Sequence, residues 1–252
     1  MEFKSKENYL NLPLSIASTP LKQESQCKFL GVILNSDLSW NDHINSVKTQ
    51  VSKSCGSLFS IRYKVPYKVL KQVYMALVQP YLIYCISLWG TGNKSKNFKQ
   101  LFILQKKCLR IVANKTEKIG HAFQHTKPMF ARSRIMTVYS LYYYLTAIEG
   151  AKIVKFLSPI AIYNFYDISQ RSKRFILPKI RLSEIMNKSF IYNSKKLMNY
   201  LIDHDIKYYE ISVNTFKLRL KRHLLFVQGI SVNGEDLWLP CNHDIFSDIT
   251  VN

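Results

Sequence analysis

From Val73 to Trp89 the chain is almost uncharged, and no other feature narrows its fold as far. Such a run is either a membrane span of marginal length or an element buried in a protein core. Gln79 and Pro80 stand near its middle. Proline removes a backbone donor and bends a helix, so the run reads as a core helix bent at Pro80, with Tyr74, Tyr81 and Tyr84 recurring on one helical face. A core helix needs neighbours. With 252 residues and 47% of them apolar, the chain can bury a sizeable core, as one large domain or two small ones, and overall disorder is excluded.

Those neighbours are legible on either side. Asn41-Asp42 can cap a helix whose apolar face is Ile44, Val47, Val51, Leu58 and Ile61. Val65-Pro66 ends it and opens the next, with Pro66 in the first turn and Leu70, Val73, Tyr74, Leu77 and Val78 facing inward. After a Gly90-Thr91-Gly92-Asn93 loop, a basic helix runs from Ser95 to Ala113, with Phe98, Leu101, Phe102, Gln105 and Leu109 near one face. Helices joined by short loops form a compact bundle. Before it, residues 9–34 read as short strands: Leu12, Leu14 and Ile16 alternate, Thr19-Pro20 makes a turn, and Phe29 to Leu34 is a second apolar run that Asn35-Ser36-Asp37 breaks. Beyond it, His125-Thr126-Lys127-Pro128-Met129-Phe130 turns into a tyrosine-rich helix, about Ser133 to Glu149, and helices follow near Lys195 to Ile202 and Val213 to Phe226. The predicted fold is mainly α with a small N-terminal β-hairpin. It divides into strands at 1–40, a helical bundle at 41–114, a helical extension at 115–230 and an acidic, turn-rich tail at 231–252.

The formal net charge is +20 and the sequence pI about 9.7, which favours a polyanionic partner, nucleic acid before an anionic membrane surface. The basic helix is the strongest binding element. Lys94, Lys96, Lys99, Lys106, Lys107, Arg110, Lys115 and Lys118 face only Glu117 in that stretch, where a neutral surface would mix signs. A second cluster covers Arg171, Lys173, Arg174, Lys179 and Arg181, and a third Lys217, Arg219, Lys221 and Arg222. No base-stacking platform is assigned to either, because the tyrosine-rich helix is more simply core.

Chemistry-bearing constellations are poor. Cys27, Cys55, Cys85, Cys108 and Cys241 lack metal-ligand spacing and read as reduced thiols of a nuclear or cytosolic protein, and Met1 to Glu7 has no secretory apolar segment. His121 and His125 are four apart without the zincin glutamate, so they read as ordinary polar residues. Asp203 and Asp205 could hold a divalent metal but close a polar helix end with no third carboxylate nearby. No metal site and no catalytic residue is assigned.

The ordered blocks Cys27-Lys28-Phe29-Leu30-Gly31-Val32-Ile33-Leu34, Leu38-Ser39-Trp40-Asn41-Asp42-His43-Ile44, Val73 to Trp89-Gly90, and Leu104-Gln105-Lys106-Lys107-Cys108-Leu109-Arg110-Ile111 resemble the carboxyl-terminal part of jockey-like non-LTR retrotransposon reverse transcriptases. His125-Thr126-x-Pro128-x-Phe130 and Phe216-Lys217-x-Arg219-Leu220-Lys221 extend the likeness. The resemblance implies that Phe29, Leu30 and Gly31 form the hairpin gripping the primer end, that 42–113 is the thumb, and that the partners are RNA and DNA as a template–primer duplex. It also implies that polymerisation depends on Mg²⁺ held by a preceding palm with an acidic F/Y-A-D-D motif. That motif is absent here, so the expected role is holding nucleic acid without polymerase chemistry and without a cofactor of its own. Two alternatives share these features: a non-catalytic basic nucleic-acid-binding protein and a retroelement remnant without function. Flanking genomic DNA separates them from a retroelement fragment.

Overall fold

The computed structural model describes residues 15–16, 19–20, 24–92, 95–113, 118–119, 122–123, 126–156, 168–169, 174–177, 189–206, 209 and 211–227. Outside them lie Leu12, Leu14, Lys94, Lys115, Glu117, His121, His125, Arg171, Lys173, Lys179, Arg181, Cys241 and the acidic tail. Among the described residues the fold is mostly helical, with small antiparallel hairpins, as the sequence leads one to expect.

Strand β1 (Ser15–Ile16) pairs with β2 (Thr19–Pro20), so Thr19-Pro20 is strand and not the expected turn. A short edge strand tolerates Pro20. The apolar run from Phe29 is not one strand either. It is folded back between β3 (Gln26–Phe29) and β4 (Val32–Asn35), which pair with Phe29 opposite Val32. Leu30 (φ 46°) and Gly31 (φ 83°) make the two-residue link, and positive φ at both central positions suits the twist of a tight hairpin.

Helix α1 (Asn41–Ile61) is preceded by Trp40 in a left-handed conformation, φ 60°. The expected caps Asn41 and Asp42 therefore sit inside its first turn, where a carboxylate favours the helix dipole. Asp42 also accepts a 2.6 Å hydrogen bond from Asn35 Nδ2, tying the helix start to β4. His43 is buried beside it. It receives the Ile33 N–H on Nδ1 at 3.3 Å and meets the Trp89 ring edge-on at 5.6 Å. Burial lowers its pKa below the ordinary histidine value, which suits an acceptor nitrogen.

The uncharged run is broken twice rather than bent once. α2 (Tyr67–Leu77) follows Pro66 at its N-cap, α3 (Gln79–Ile83) restarts the helix so that Pro80 falls in a first turn, and α4 (Ile86–Trp89) follows an extended Tyr84 and a left-handed Cys85, φ 51°. In consequence Tyr74 is buried while Tyr81 and Tyr84 are 42% and 50% exposed, so the tyrosines do not share a face. No helix among the described residues is long and apolar enough to cross a membrane.

α5 (Lys96–Val112) is bounded as expected, with Ser95 Oγ accepting the Phe98 N–H at 3.2 Å. It lies beside α1 and runs the same way: Asn97 bonds Asn41 and Gln100 bonds Lys48. After the small β5–β6 pair (Lys118–Ile119 and Ala122–Phe123), α6 (Lys127–Ser133) carries Pro128 and Phe130. Left-handed Arg134, φ 51°, separates it from α7 (Val138–Phe156), so the expected single helix from Ser133 starts later. α7 is apolar nearly all round and is buried accordingly, through Leu141, Tyr142, Tyr143, Ala147 and Ile148. It packs against α4, α8 (Phe190–Asp203) and α9 (Val213–Val227). Gly90 lets it come close: a Cβ there would sit 2.3 Å from Tyr142 Cδ2. The buried apolar residues form one cluster from Val32 to Leu224.

Candidate nucleic-acid interface

α5 sorts its residues by side. Phe98, Leu101, Phe102, Gln105, Cys108, Leu109, Ile111 and Val112 are buried. At about 100° per residue, Lys96, Lys99, Lys106, Lys107 and Arg110 fall within one arc of roughly 100°, with exposed Ile103 between them. Lys96 to Arg110 spans about 21 Å along the axis, at about 1.5 Å per residue. Lys96, Lys99 and Lys107 are exposed. Lys106 is partly buried, its Nζ 4.2 Å from the Phe102 ring centroid, a cation–π contact that fixes its stem while leaving its charge on the surface. Arg110 is also partly buried, and desolvation pulls its pKa below the ordinary guanidinium value without removing its charge. Five of the six predicted contact residues are therefore brought onto one stripe; Lys94 lies outside the described residues.

A wider signal went unread in the sequence. No Asp or Glu occurs between Asp42 and Glu117, while Lys48, Lys53, Arg62, Lys64, Lys68 and Lys71 join the α5 cations in that stretch. A charge count over the whole bundle, rather than over one helix, would have found it. Folded surfaces ordinarily intersperse both signs, and same-sign cations repel. Within the bundle Asp42, at the start of α1, is the one carboxylate set against these cations.

The competing basic clusters differ in geometry. On α9, Lys217, Arg219, Lys221 and Arg222 spread over roughly 200° of helix and make no stripe. In the second cluster Arg174 is ion-paired with Asp203. That pair also occupies one carboxylate of the Asp203/Asp205 set, and among the described residues no group of three or more His, Cys, Asp or Glu could hold a metal ion.

The predicted primer-grip residues stand at the β3–β4 tip. Phe29 and Leu30 are 63% and 75% exposed, and the Tyr84 hydroxyl donates to Leu30 O. The Tyr84 ring lies within 4.0 Å of where a Gly31 Cβ would be, so the tip leans on the break between α3 and α4.

Where α5 meets α1, Cys55 and Cys108 are buried. Their proximity sets their acidities apart: Cys108 and the nearby Lys107 lower the Cys55 thiol against the opposing effect of burial, while Cys55 and burial together raise Cys108. Among the described residues no disulfide joins Cys27, Cys55, Cys85 or Cys108.

No family model matches the chain, and no solved structure does. Two curated proteins of Drosophila melanogaster are similar to part of it. The probable RNA-directed DNA polymerase from transposon BS is 26% identical over 105 residues, 40% of this chain and 12% of that protein. The probable RNA-directed DNA polymerase from transposon X-element is 25% identical over 103 residues, 40% of this chain and 11% of that protein. The likeness to reverse transcriptases carried by the ordered blocks and these matches agree: over two fifths of its length the chain is a partial homologue of transposon RNA-directed DNA polymerases.

Proposed function

We propose that the bundle at 41–114 is the thumb-like part of a reverse-transcriptase-related protein, and that it holds a template–primer duplex through phosphate contacts from the outer face of α5. The observation that carries this reading is the acid-free stretch from His43 to Thr116, with its α5 cations collected on one face. Lysine and arginine on a rigid helix displace counterions from phosphates and read no base edges. An RNA–DNA hybrid near A-form offers little to side chains in its deep, narrow groove, so recognition by shape and backbone fits such a face. The metal-bound carboxylates of polymerisation belong, in this reading, to a palm outside these residues, and no residue described above takes a catalytic role.

The test is fluorescence anisotropy with a labelled RNA–DNA hybrid, titrated between about 50 and 200 mM salt. Contacts from three to five cations give a slope of log affinity against log salt of about −2.7 to −4.5, at roughly 0.9 per phosphate. Absence of binding at the low-salt end, or a slope near zero, contradicts the proposal.

A further inference from the structure

The end of α1 and the turn that follows it carry an exposed aromatic–arginine cluster. Phe59 and Tyr63 are 47% and 65% exposed, although the adjacent Leu58 is fully buried. Phe59 lies in the last turn of α1 and Tyr63 two residues past its end. Arg62 lies against both, with its guanidinium carbon 3.5 Å from the Phe59 ring centroid and 4.2 Å from that of Tyr63. Its Nη1 donates to Phe59 O at 2.7 Å, which holds the plane in place. Core packing does not explain this arrangement, since the rings face water.

The cluster is continuous with the α5 stripe. Phe59 lines a cavity of about 240 Å³ together with Ser52, Cys55, Gly56, Lys107 and Ile111. One wall is thus aromatic and the other carries a stripe lysine. The space beside Gly56 is open, for a Cβ added there would meet nothing within 4 Å. In sequence, Lys53 and Lys64 bracket Cys55 to Tyr63, and the stretch has no acid.

We infer that this cluster is a subsite for unpaired nucleotides continuing from the held duplex, with a base stacked on the Phe59–Arg62–Tyr63 surface and its phosphate at Lys107. The inference rests on the duplex-holding reading, because Lys107 serves both surfaces. Every base has a π-face, so an aromatic platform beside cations takes a single strand of RNA or DNA with little sequence preference. A protein or lipid partner would not call for a cavity placed between an arginine-stacked ring and a phosphate-binding lysine.

The experiment compares a blunt RNA–DNA hybrid with the same hybrid bearing a short single-stranded extension that contains 2-aminopurine. The full-length chain should bind the extended ligand on the order of tenfold more tightly, with 2-aminopurine fluorescence quenched by stacking. The Phe59→Ala/Tyr63→Ala variant should bind both ligands alike, at the blunt-end affinity of the parent and without quenching. Gly56→Leu fills the cavity while improving helix propensity, and should abolish the preference in the same way in a folded protein. Equal parental affinity for both ligands, or a preference that survives in both variants, overturns the subsite alone. A parent that binds neither ligand at low salt overturns the duplex-holding reading and this subsite with it.

Discussion

Replacing Lys96, Lys99 and Lys107 together by glutamine lowers affinity for an RNA–DNA hybrid at least about tenfold near 0.1 M salt and reduces the salt slope by about 2.7, at roughly 0.9 per lost phosphate contact. These three are chosen because they are exposed, so their removal leaves the core untouched. Lys106 and Arg110 share the stripe, but their stems are partly buried, and substituting them would mix packing effects with charge. Circular dichroism of the triple variant should match the parent. The control is Lys217, Lys221 and Arg222 of α9, changed to glutamine in the same way. An affinity and a slope that follow the α9 variant instead of the α5 variant would move the binding surface to α9.

Gln105→Leu destabilises the fold by about 3 kcal/mol or more, the largest effect expected of a single polar position here. Gln105 is fully buried and joins three elements. Its Nε2 donates to Tyr74 Oη at 3.1 Å and to Met136 O at 3.0 Å, and its Oε1 accepts the Val138 N–H at 2.8 Å. Leucine fills the space but leaves a buried carbonyl and a buried N–H at the start of α7 without partners, each worth about 1–3 kcal/mol. Tyr74, whose hydroxyl is pushed well above the ordinary tyrosine pKa by burial, loses a partner as well. Tyr74→Phe keeps the Met136 and Val138 bonds and should cost about 1 kcal/mol. Urea unfolding reads both. A Gln105→Leu midpoint indistinguishable from the parent would show that the network does not hold α5 to α7.

How much of this was legible depends on the range of the forces involved. α5 was readable nearly to its ends because Ser95 is a local cap and the apolar positions recur at helical spacing. The two breaks in the Val73–Trp89 run divide in the same way. The break at Pro80 is announced by proline itself. That at Tyr84–Cys85 has no Gly or Pro to mark it, and is set by tertiary demands: Ile86 and Trp89 are buried, and the Trp89 indole donates to Tyr84 O at 2.7 Å. Gln105 was visible on the apolar face of its helix, but its partners on Tyr74, Met136 and Val138 lie 31 to 33 residues away, so its role as a joint was not. The basic stripe was legible as composition plus period. The charge at Arg174, counted in the second basic cluster, is paired with Asp203, a pairing across 29 residues that no local pattern shows.

The most direct measurement is lysine-acetylation footprinting of the full chain with and without an RNA–DNA hybrid, read residue by residue by mass spectrometry. Protection of Lys96, Lys99 and Lys107, with Lys217 and Lys221 modified at the same rate in both samples, is the expected result. Unchanged modification of the three α5 lysines on a chain demonstrably bound to the hybrid would contradict the assignment of this helix as the holding surface.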